Sequence, residues 1–229
     1  VPAVLEAVTR KAGHMRRRSI VSRLLGSLVN VALGGSAGLE GPIVYSAAAV
    51  GSTLASSMRV AERQRVLLLA CGVAGGIGAI FNAPLTGMIF AMEVVLAEWT
   101  LGALLPIAVS ATVATEIGRY AMSSEGAFRV DAVIEWGGID LAASAVLGAC
   151  AGLLSVALVV MIFAAERFTR RLKVGFLTSK LGVVAGLGGL CVGLLGLIEP
   201  GAIGEGYEAV SAALSGEMVA GGALLLFLL

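Results

Sequence analysis

Gly38-Leu39-Glu40-Gly41-Pro42 places a single acid between helix-breaking residues in an otherwise apolar, glycine-rich part of the chain. Glycine lets the backbone unwind and approach a ligand closely. Proline suits the first turn of a helix, and the free N–H groups of the helix that Pro42 begins would point back toward the acid. A carboxylate at membrane depth is costly, so this stretch is predicted to be a functional site.

The composition indicates that the chain resides in a lipid bilayer. Of its 229 residues, 58% are hydrophobic and only 14% are charged, and the mean hydropathy is +0.98. These values lie far from the balance of a soluble domain. The net charge of +1 leaves no basic face for a nucleic-acid partner. No catalytic triad, metal cluster, Walker loop or dinucleotide motif is visible, so we expect no metal, no cofactor and no enzymatic activity.

The apolar segments are unusually short for membrane spans. A perpendicular helix needs about 20 residues, and several segments cannot cross alone. Short segments broken by glycine or proline are typical of discontinuous helices that line a cavity, which predicts an all-α, multi-pass transporter or channel. The segments are Ile20–Leu33, Pro42–Met58, Val66–Phe81, Ala83–Ala97, Leu101–Met122, Leu141–Ala165, Leu181–Ile198 and Glu217–Leu229.

Charges in the loops predict the orientation of these segments. Basic residues gather at 10–18, 59–65 and 167–180, which the positive-inside rule places in the cytoplasm. The loop at 123–140 is acidic and is expected outside. The path between these marks places Glu40 in the outer half of the membrane, on a re-entrant stretch.

Small residues predict how the helices pack and which polar groups are local. Glycines four apart let helix backbones touch, and the pairs are Gly72 and Gly76, Gly148 and Gly152, Gly182 and Gly186, and Gly189 and Gly193. Asn82 is expected to cap the helix that follows it. The hydroxyl groups after Pro42 are expected to bond to their own helix, and they belong to Ser46, Ser52, Thr53, Ser56 and Ser57.

Two stretches in a fixed order carry a resemblance to a known family. Gly38-Leu39-Glu40-Gly41-Pro42 is followed about forty residues later by Phe81-Asn82-Ala83-Pro84-Leu85-Thr86-Gly87, which leads into Phe90-Ala91-Met92-Glu93. The first resembles the G-R/K-E-G-P motif of the CLC family of voltage-gated chloride channels and chloride/proton exchangers. The second resembles that family's F-N-A-P-L-x-G-x-x-F-x-x-E motif. The residues that support the match are Gly38, Pro42, Phe81, Asn82, Pro84 and Glu93.

The resemblance implies a CLC-like inverted-repeat fold with short, broken and re-entrant helices. It also implies a homodimer in a lipid bilayer, the inner membrane of a prokaryote, that moves chloride or a similar small anion. The candidate dimer interface is formed by the helices over Ala83–Ala97 and Leu101–Met122. Gly204-Glu205-Gly206-Tyr207 resembles the start of a short extracellular helix in the family's second half.

The resemblance covers the chain, but the chain matches only part of the family core. Residues 1–229 are expected to form one transmembrane domain fragment, running in the family's lettering from the end of helix D to the start of helix M. Residues 1–122 would complete the first repeat, and residues 141–229 would begin an incomplete second repeat. The family's pore serine, G-x-F-x-P loop and pore tyrosine are not matched. A truncated, non-transporting fragment with a structural or assembly role therefore stays open as an alternative.

The chemistry of the first motif suggests a gate. Leu39, Glu40 and Gly41 would offer backbone amides that compensate a dehydrated anion. An ionised Glu40 competes for that place, whereas a protonated Glu40 is neutral and can swing away. The resemblance implies the same role, a gating and proton-accepting glutamate. Leu39 stands where the family usually has Arg or Lys, which weakens the positive potential at the outer mouth.

The second motif bears on proton coupling. Exchangers of the family commonly carry two successive acids here, and the second transfers protons from the inside. This chain reads Glu93-Val94, and valine accepts no proton. A channel-like pathway is therefore favoured. A proton-coupled exchanger remains the alternative, because a water wire or Glu98, one turn further on, could still deliver protons to Glu40.

Overall fold

A computed structural model describes residues 1–122, 137–171, 180–198 and 203–214, and every regular element over these residues is a helix. The chain divides into two compact units. The first comprises Val1–Val130 together with Leu195–Leu229, and the second comprises Asp131–Leu194. The all-α class predicted from the sequence is confirmed.

The first unit contains most of the described helices. They are α1 (Pro2–Arg10), α2 (Arg18–Ala32), α3 (Glu40–Ser57), α4 (Glu62–Phe81), α5 (Pro84–Phe90), which continues as a π-helical turn (Ala91–Leu96), α6 (Leu101–Met122) and α9 (Tyr207–Leu214). The second unit contains α7 (Gly138–Arg171) and the larger part of α8 (Lys180–Ile198).

The helix boundaries follow the predicted apolar segments. One difference lies at the functional motif, because α3 begins at Glu40 and not at Pro42, so the acid is the first helical residue. The last predicted segment, Glu217–Leu229, lies outside the described residues. Three described helices are long and apolar enough to cross a membrane, over Glu62–Phe81, Leu101–Ala121 and Leu141–Arg167.

Helices α3 and α4 form an antiparallel pair whose backbones touch through glycines. Gly51 lies against the carbonyl of Leu68, and Gly72 lies against the carbonyl of Ala47. A Cβ atom at either glycine would overlap these carbonyls. Because the pair is antiparallel, the start of α3 and the end of α4 lie at the same end. The two sequence motifs therefore begin on one side of the pair.

The core of the first unit surrounds α4. Large side chains that are fully buried come from α1, α3, α4, the π-helical turn and α6, and they include Val4, Val44, Leu69, Val73, Met92 and Ile107. Gly87 of α5 lies against the carbonyl of Ala74, so α5 also approaches α4 closely. Burial of these side chains together with small-residue contacts fixes the positions of the helix ends.

The expectation of glycine-mediated packing is confirmed on α4, whereas five of the predicted glycines on α7 and α8 touch nothing in the described part of the chain. Gly72 and Gly76 both face Ala47 of α3. A Cβ atom added at Gly148, Gly152 or Gly186 would meet no other described atom within 4 Å, and the same holds for Gly189 and Gly193. Spacing alone did not separate packed glycines from unpacked ones.

Ser52 of α3 forms hydrogen bonds with the loop that connects α1 to α2. Its hydroxyl donates to the Gly13 carbonyl at 2.6 Å and accepts from the Met15 amide at 3.1 Å. The prediction that Ser52 bonds to its own helix is wrong, because the neighbouring loop supplies both partners. The same prediction is confirmed for Ser46, Ser56 and Ser57, which donate to carbonyls of α3.

Gly72→Ala tests the contact between α3 and α4. The added methyl would push against the Ala47 carbonyl, and overpacking of this kind costs about 1–3 kcal/mol. Gly148→Ala is the matched control, because it lies inside a helix in open space, where alanine is favoured over glycine by roughly 0.5–1 kcal/mol. Unfolding in detergent should show a loss of stability for the first variant and no loss for the second. Equal effects would contradict the assigned contact.

Candidate functional site

The N-terminal end of α3 presents backbone amides that no described group uses. The N–H groups of Leu39, Glu40 and Gly41 donate no hydrogen bond within the part of the chain that the structure describes. The first backbone bond at this end runs from the Ile43 amide to the Leu39 carbonyl, at 3.1 Å. Three free donors at a helix N-terminus, where the helix dipole is positive, form a place suited to an anion.

The carboxylate of Glu40 is hydrogen-bonded to a tyrosine and not to these amides. Its Oε1 accepts a hydrogen bond from the hydroxyl of Tyr207 at 2.9 Å, and over residues 1–122 it accepts none from a backbone amide. Its other oxygen lies over Gly38, where a Cβ atom would overlap it. Gly38 is thus required for this position of the acid, a reason that the motif alone does not reveal.

Tyr207 is brought to this site by a short glycine-rich segment. Gly204 and Gly206 have φ values of +87° and +76°, which L side chains rarely adopt. The preceding residue, Ile203, lies against Gly34 near the end of α2 and against Gly196 near the end of α8. The predicted short helix follows directly as α9, and its first residue is Tyr207. All of these residues belong to the first unit.

The surroundings keep the Tyr207 hydroxyl protonated. Burial raises its pKa to about 12, and the hydrogen bond to Glu40 and the negative charges of Glu40 and Glu205 act in the same direction. The hydroxyl is therefore a proton donor at every physiological pH. Glu205 has one buried carboxylate oxygen without a hydrogen-bond partner among the described residues.

Tyr207 did not emerge as a site residue from the sequence. It stands 167 residues after Glu40, and no local pattern links the two positions. The signal present was the Gly204-Glu205-Gly206 stretch, whose two glycines around an acid indicate a tight, functional turn. Pairing it with Glu40 required the three-dimensional structure.

Asn82 has a different duty from the one predicted. It ends α4 in the left-handed conformation, with a φ of 51°, and the helix that follows has Ala83 at its N-cap without a side-chain cap. The side-chain oxygen of Asn82 instead accepts a short hydrogen bond from Arg119 of α6. Arg119 also pairs with Glu116 at 2.8 Å, so the second motif is tied to the end of α6.

The C-terminal end of the second motif lies in the π-helical turn. Glu93 is exposed there, and Val94 is half-buried. Turns of this kind often occur at functional sites. Glu98, just beyond the turn, lines a cavity of about 710 Å³ together with Glu62 and Arg63 at the start of α4 and Thr100. Hydrogen bonds join Glu40 to Tyr207 and Asn82 to Arg119, and neither pair includes Glu93 or Val94.

Comparison with known proteins decides the family. The family model described as "Voltage gated chloride channel" matches residues 1–229. The chain belongs to this family. Relatives within the family include the "Voltage-gated ClC-type chloride channel ClcB" of Escherichia coli O9:H4, which is 34% identical over 195 residues. A protein of Ralstonia nicotianae whose name describes it as ClcB-like is 32% identical over 217 residues.

A solved structure confirms the CLC fold. The crystal structure of a CLC-type fluoride/proton antiporter matches with a TM-score of 0.80 at 21% identity, over 99% of this chain and 58% of that one. The E. coli and Ralstonia matches cover 83% and 90% of this chain and 44% and 48% of the relatives. The chain thus spans about half the length of these family members.

Gly38→Ala tests the position of the Glu40 carboxylate. The added methyl displaces the carboxylate from Tyr207, which removes two of the causes that raise the tyrosine pKa. The Tyr207 titration should therefore fall from about 12 toward the ordinary value of roughly 10. Ultraviolet titration measures it in a background where the other two tyrosines, Tyr45 and Tyr120, are phenylalanine.

Gly41→Ala is the matched control for this titration. A Cβ atom at Gly41 meets nothing within 4 Å, so the carboxylate and the Tyr207 titration should stay in place. If Gly41→Ala lowers the Tyr207 pKa as much as Gly38→Ala does, the contact over Gly38 is not what positions the acid.

Proposed function

We propose that this chain forms part of a pathway for chloride or a similar small anion, with Glu40 as its gate. The observation that carries the proposal is the start of α3, where three amides without a partner among the described residues adjoin a carboxylate that bonds to Tyr207. Membership of the voltage gated chloride channel family supports it. Similarity to proteins that are named as a chloride channel and a fluoride/proton antiporter also supports the proposal.

The amides of Leu39, Glu40 and Gly41 would compensate a dehydrated anion without a full positive charge. Full charge would trap the ion, whereas partial charges at a helix N-terminus let it bind and leave. The ionised carboxylate of Glu40 is itself an anion and competes for the same amides. Protonation neutralises the carboxylate and leaves the amides available to the anion. Anion flux therefore rises as the pH falls.

We further propose that transport is channel-like and not coupled to protons. The half-buried position in the π-helical turn where exchangers carry a second acid holds Val94. Glu98 favours the alternative of coupled exchange, because it faces a cavity large enough for water at the inner end of α4. Exchange would require a proton route from that cavity to Glu40.

The assembly is proposed to be a homodimer in the inner membrane of a prokaryote. The exposed face of α6 carries an apolar stripe with a residue at every fourth position. The stripe is formed by Leu101, Leu105, Val109, Val113 and Ile117, each at least 52% exposed. A stripe of this kind fits lipid or a second copy. Residues 1–122 and 141–229 would belong to successive repeats of one transmembrane domain. The mass of the protein in detergent tests the dimer.

Glu40→Gln tests the gate. Glutamine keeps the shape of the side chain but does not titrate, so anion flux should lose its pH dependence and stay at the level that the wild type reaches in acid. Isotopic chloride uptake into liposomes that hold the complete protein, measured from pH 4.5 to 7.5, provides the readout. Persisting pH dependence would place the gate at another residue.

Proton coupling is tested by recording proton movement together with chloride flux. An outward chloride gradient should drive no uphill proton movement, because Val94 cannot relay protons. Proton pumping by the wild type would show that the exchanger alternative is right and would direct attention to Glu98. If the complete protein takes up no chloride under any condition, a structural or assembly role replaces transport.

A further inference from the structure

We propose that Tyr207 is a positioning residue that holds the ionised Glu40 carboxylate away from the α3 amides, so that the anion place can be free without protonation. This inference rests on the proposed function. It concerns where the charged acid goes when it is not blocking the pathway, which the gating scheme leaves open.

The geometry gives the carboxylate two alternative positions. In the observed one, Glu40 Oε1 accepts the Tyr207 hydroxyl hydrogen at 2.9 Å, and the amides of Leu39 to Gly41 donate to no described group. In the other, the same oxygens would accept from those amides. Both positions satisfy the charged group, so a carboxylate can move between them without first being neutralised.

The observed position is prepared by the backbone on both sides. Gly38 leaves the space that the second carboxylate oxygen occupies, because a Cβ atom there would overlap it. On the other side, the left-handed Gly206 directly precedes Tyr207, and Ile203 packs against Gly34. Backbone segments from two distant parts of the chain therefore place the Tyr207 hydroxyl and the Glu40 carboxylate within hydrogen-bonding distance of each other.

The charges around the bond are consistent with a donor that does not itself titrate. The groups that act on the Tyr207 hydroxyl are Glu40 on α3 and Glu205 on the preceding turn, both negative. They keep the hydroxyl protonated across the range of a flux assay, so Tyr207 stays a hydrogen-bond donor throughout. The negative charge of Glu205 also disfavours deprotonation of the Tyr207 hydroxyl.

The bond sets how far the ionised acid favours the free position. Hydrogen bonds to charged groups in proteins shift such equilibria by about ten- to a hundredfold. Without the hydroxyl, the ionised carboxylate has the amides as its remaining donors and returns to them. Protonated Glu40 has no such need, since it does not compete with the anion.

Tyr207→Phe tests the proposal in liposomes that hold the complete protein. Chloride uptake at pH 7.5 should fall about tenfold, whereas uptake at pH 4.5 should stay at the wild-type level. In the Glu40→Gln background the same change should have no effect at either pH. Tyr120→Phe, at a tyrosine that is 96% exposed, is the matched control and should leave both values unchanged.

Four results of the flux assay would overturn the proposal. An equal fall at both pH values, or a fall in the Glu40→Gln background, would mean that Tyr207 merely stabilises the fold. A rise at pH 7.5 would mean that the bond holds the acid in its blocking position. Unchanged flux at pH 7.5 would mean that the bond has no influence on the gate.

A second measurement separates this inference from the proposed function. Ultraviolet titration of Tyr207 in the chain, with Tyr45 and Tyr120 replaced by Phe, should show a lower pKa in Glu40→Gln than in the parent. No change would remove the contact and the inference while leaving the anion pathway intact. A protein with this contact but without any chloride uptake would overturn the pathway, and the role of Tyr207 with it.

Discussion

The close approach of α3 and α4 is the constraint on which the rest of the first unit depends. Gly51 and Gly72 bring the two backbones into contact where no side chain could fit. In a lipid environment such contacts replace the hydrophobic force that packs helices in water. The antiparallel pair then fixes the free N-terminus of α3 beside the end of α4, and both motifs take their positions from it. The loop held by Ser52 adds a second fastening on the same helix.

The site at the start of α3 combines two elements that are far apart in sequence. The amides come from α3, and the hydroxyl that binds the acid comes from the first residue of α9. Each element alone is common in proteins. Every helix N-terminus has amides without an intrahelical partner, and a tyrosine often donates to a carboxylate. In the proposed gate, the Glu40 carboxylate chooses between these two sets of donors. We propose that the balance between the two sets, and not the presence of the acid by itself, decides how anion flux responds to pH.

Much of the fold followed from sequence because apolar segments and loop charges are local signals. The boundaries of α4 and α6 lay within a few residues of the predicted ones, the all-α class followed from the apolar segments, and the family was recognisable from two motifs. Long-range partners were not predictable. The glycine pattern was the same on α4 and α7, yet among the described residues the pair on α4 makes a close contact and the pair on α7 does not. Asn82, Ser52 and Tyr207 found partners 37 to 167 residues away, and no local pattern encodes such pairs.

The π-helical turn after α5 alters how sequence position relates to the position of a side chain around the helix axis at the C-terminal end of the second motif. Its backbone rings close from residue i to i+5 and hold one residue more than α-helical rings. Each added residue rotates the following side chains by about 100° around the helix axis. A helical wheel of uniform α-helical pitch drawn from the Phe81-Asn82-Ala83-Pro84 motif would therefore misplace the side chains that follow the turn. In the turn itself Glu93 is exposed and Val94 is half-buried, so moving the bulge along the sequence would change which residue meets solvent, as exchanging a residue would.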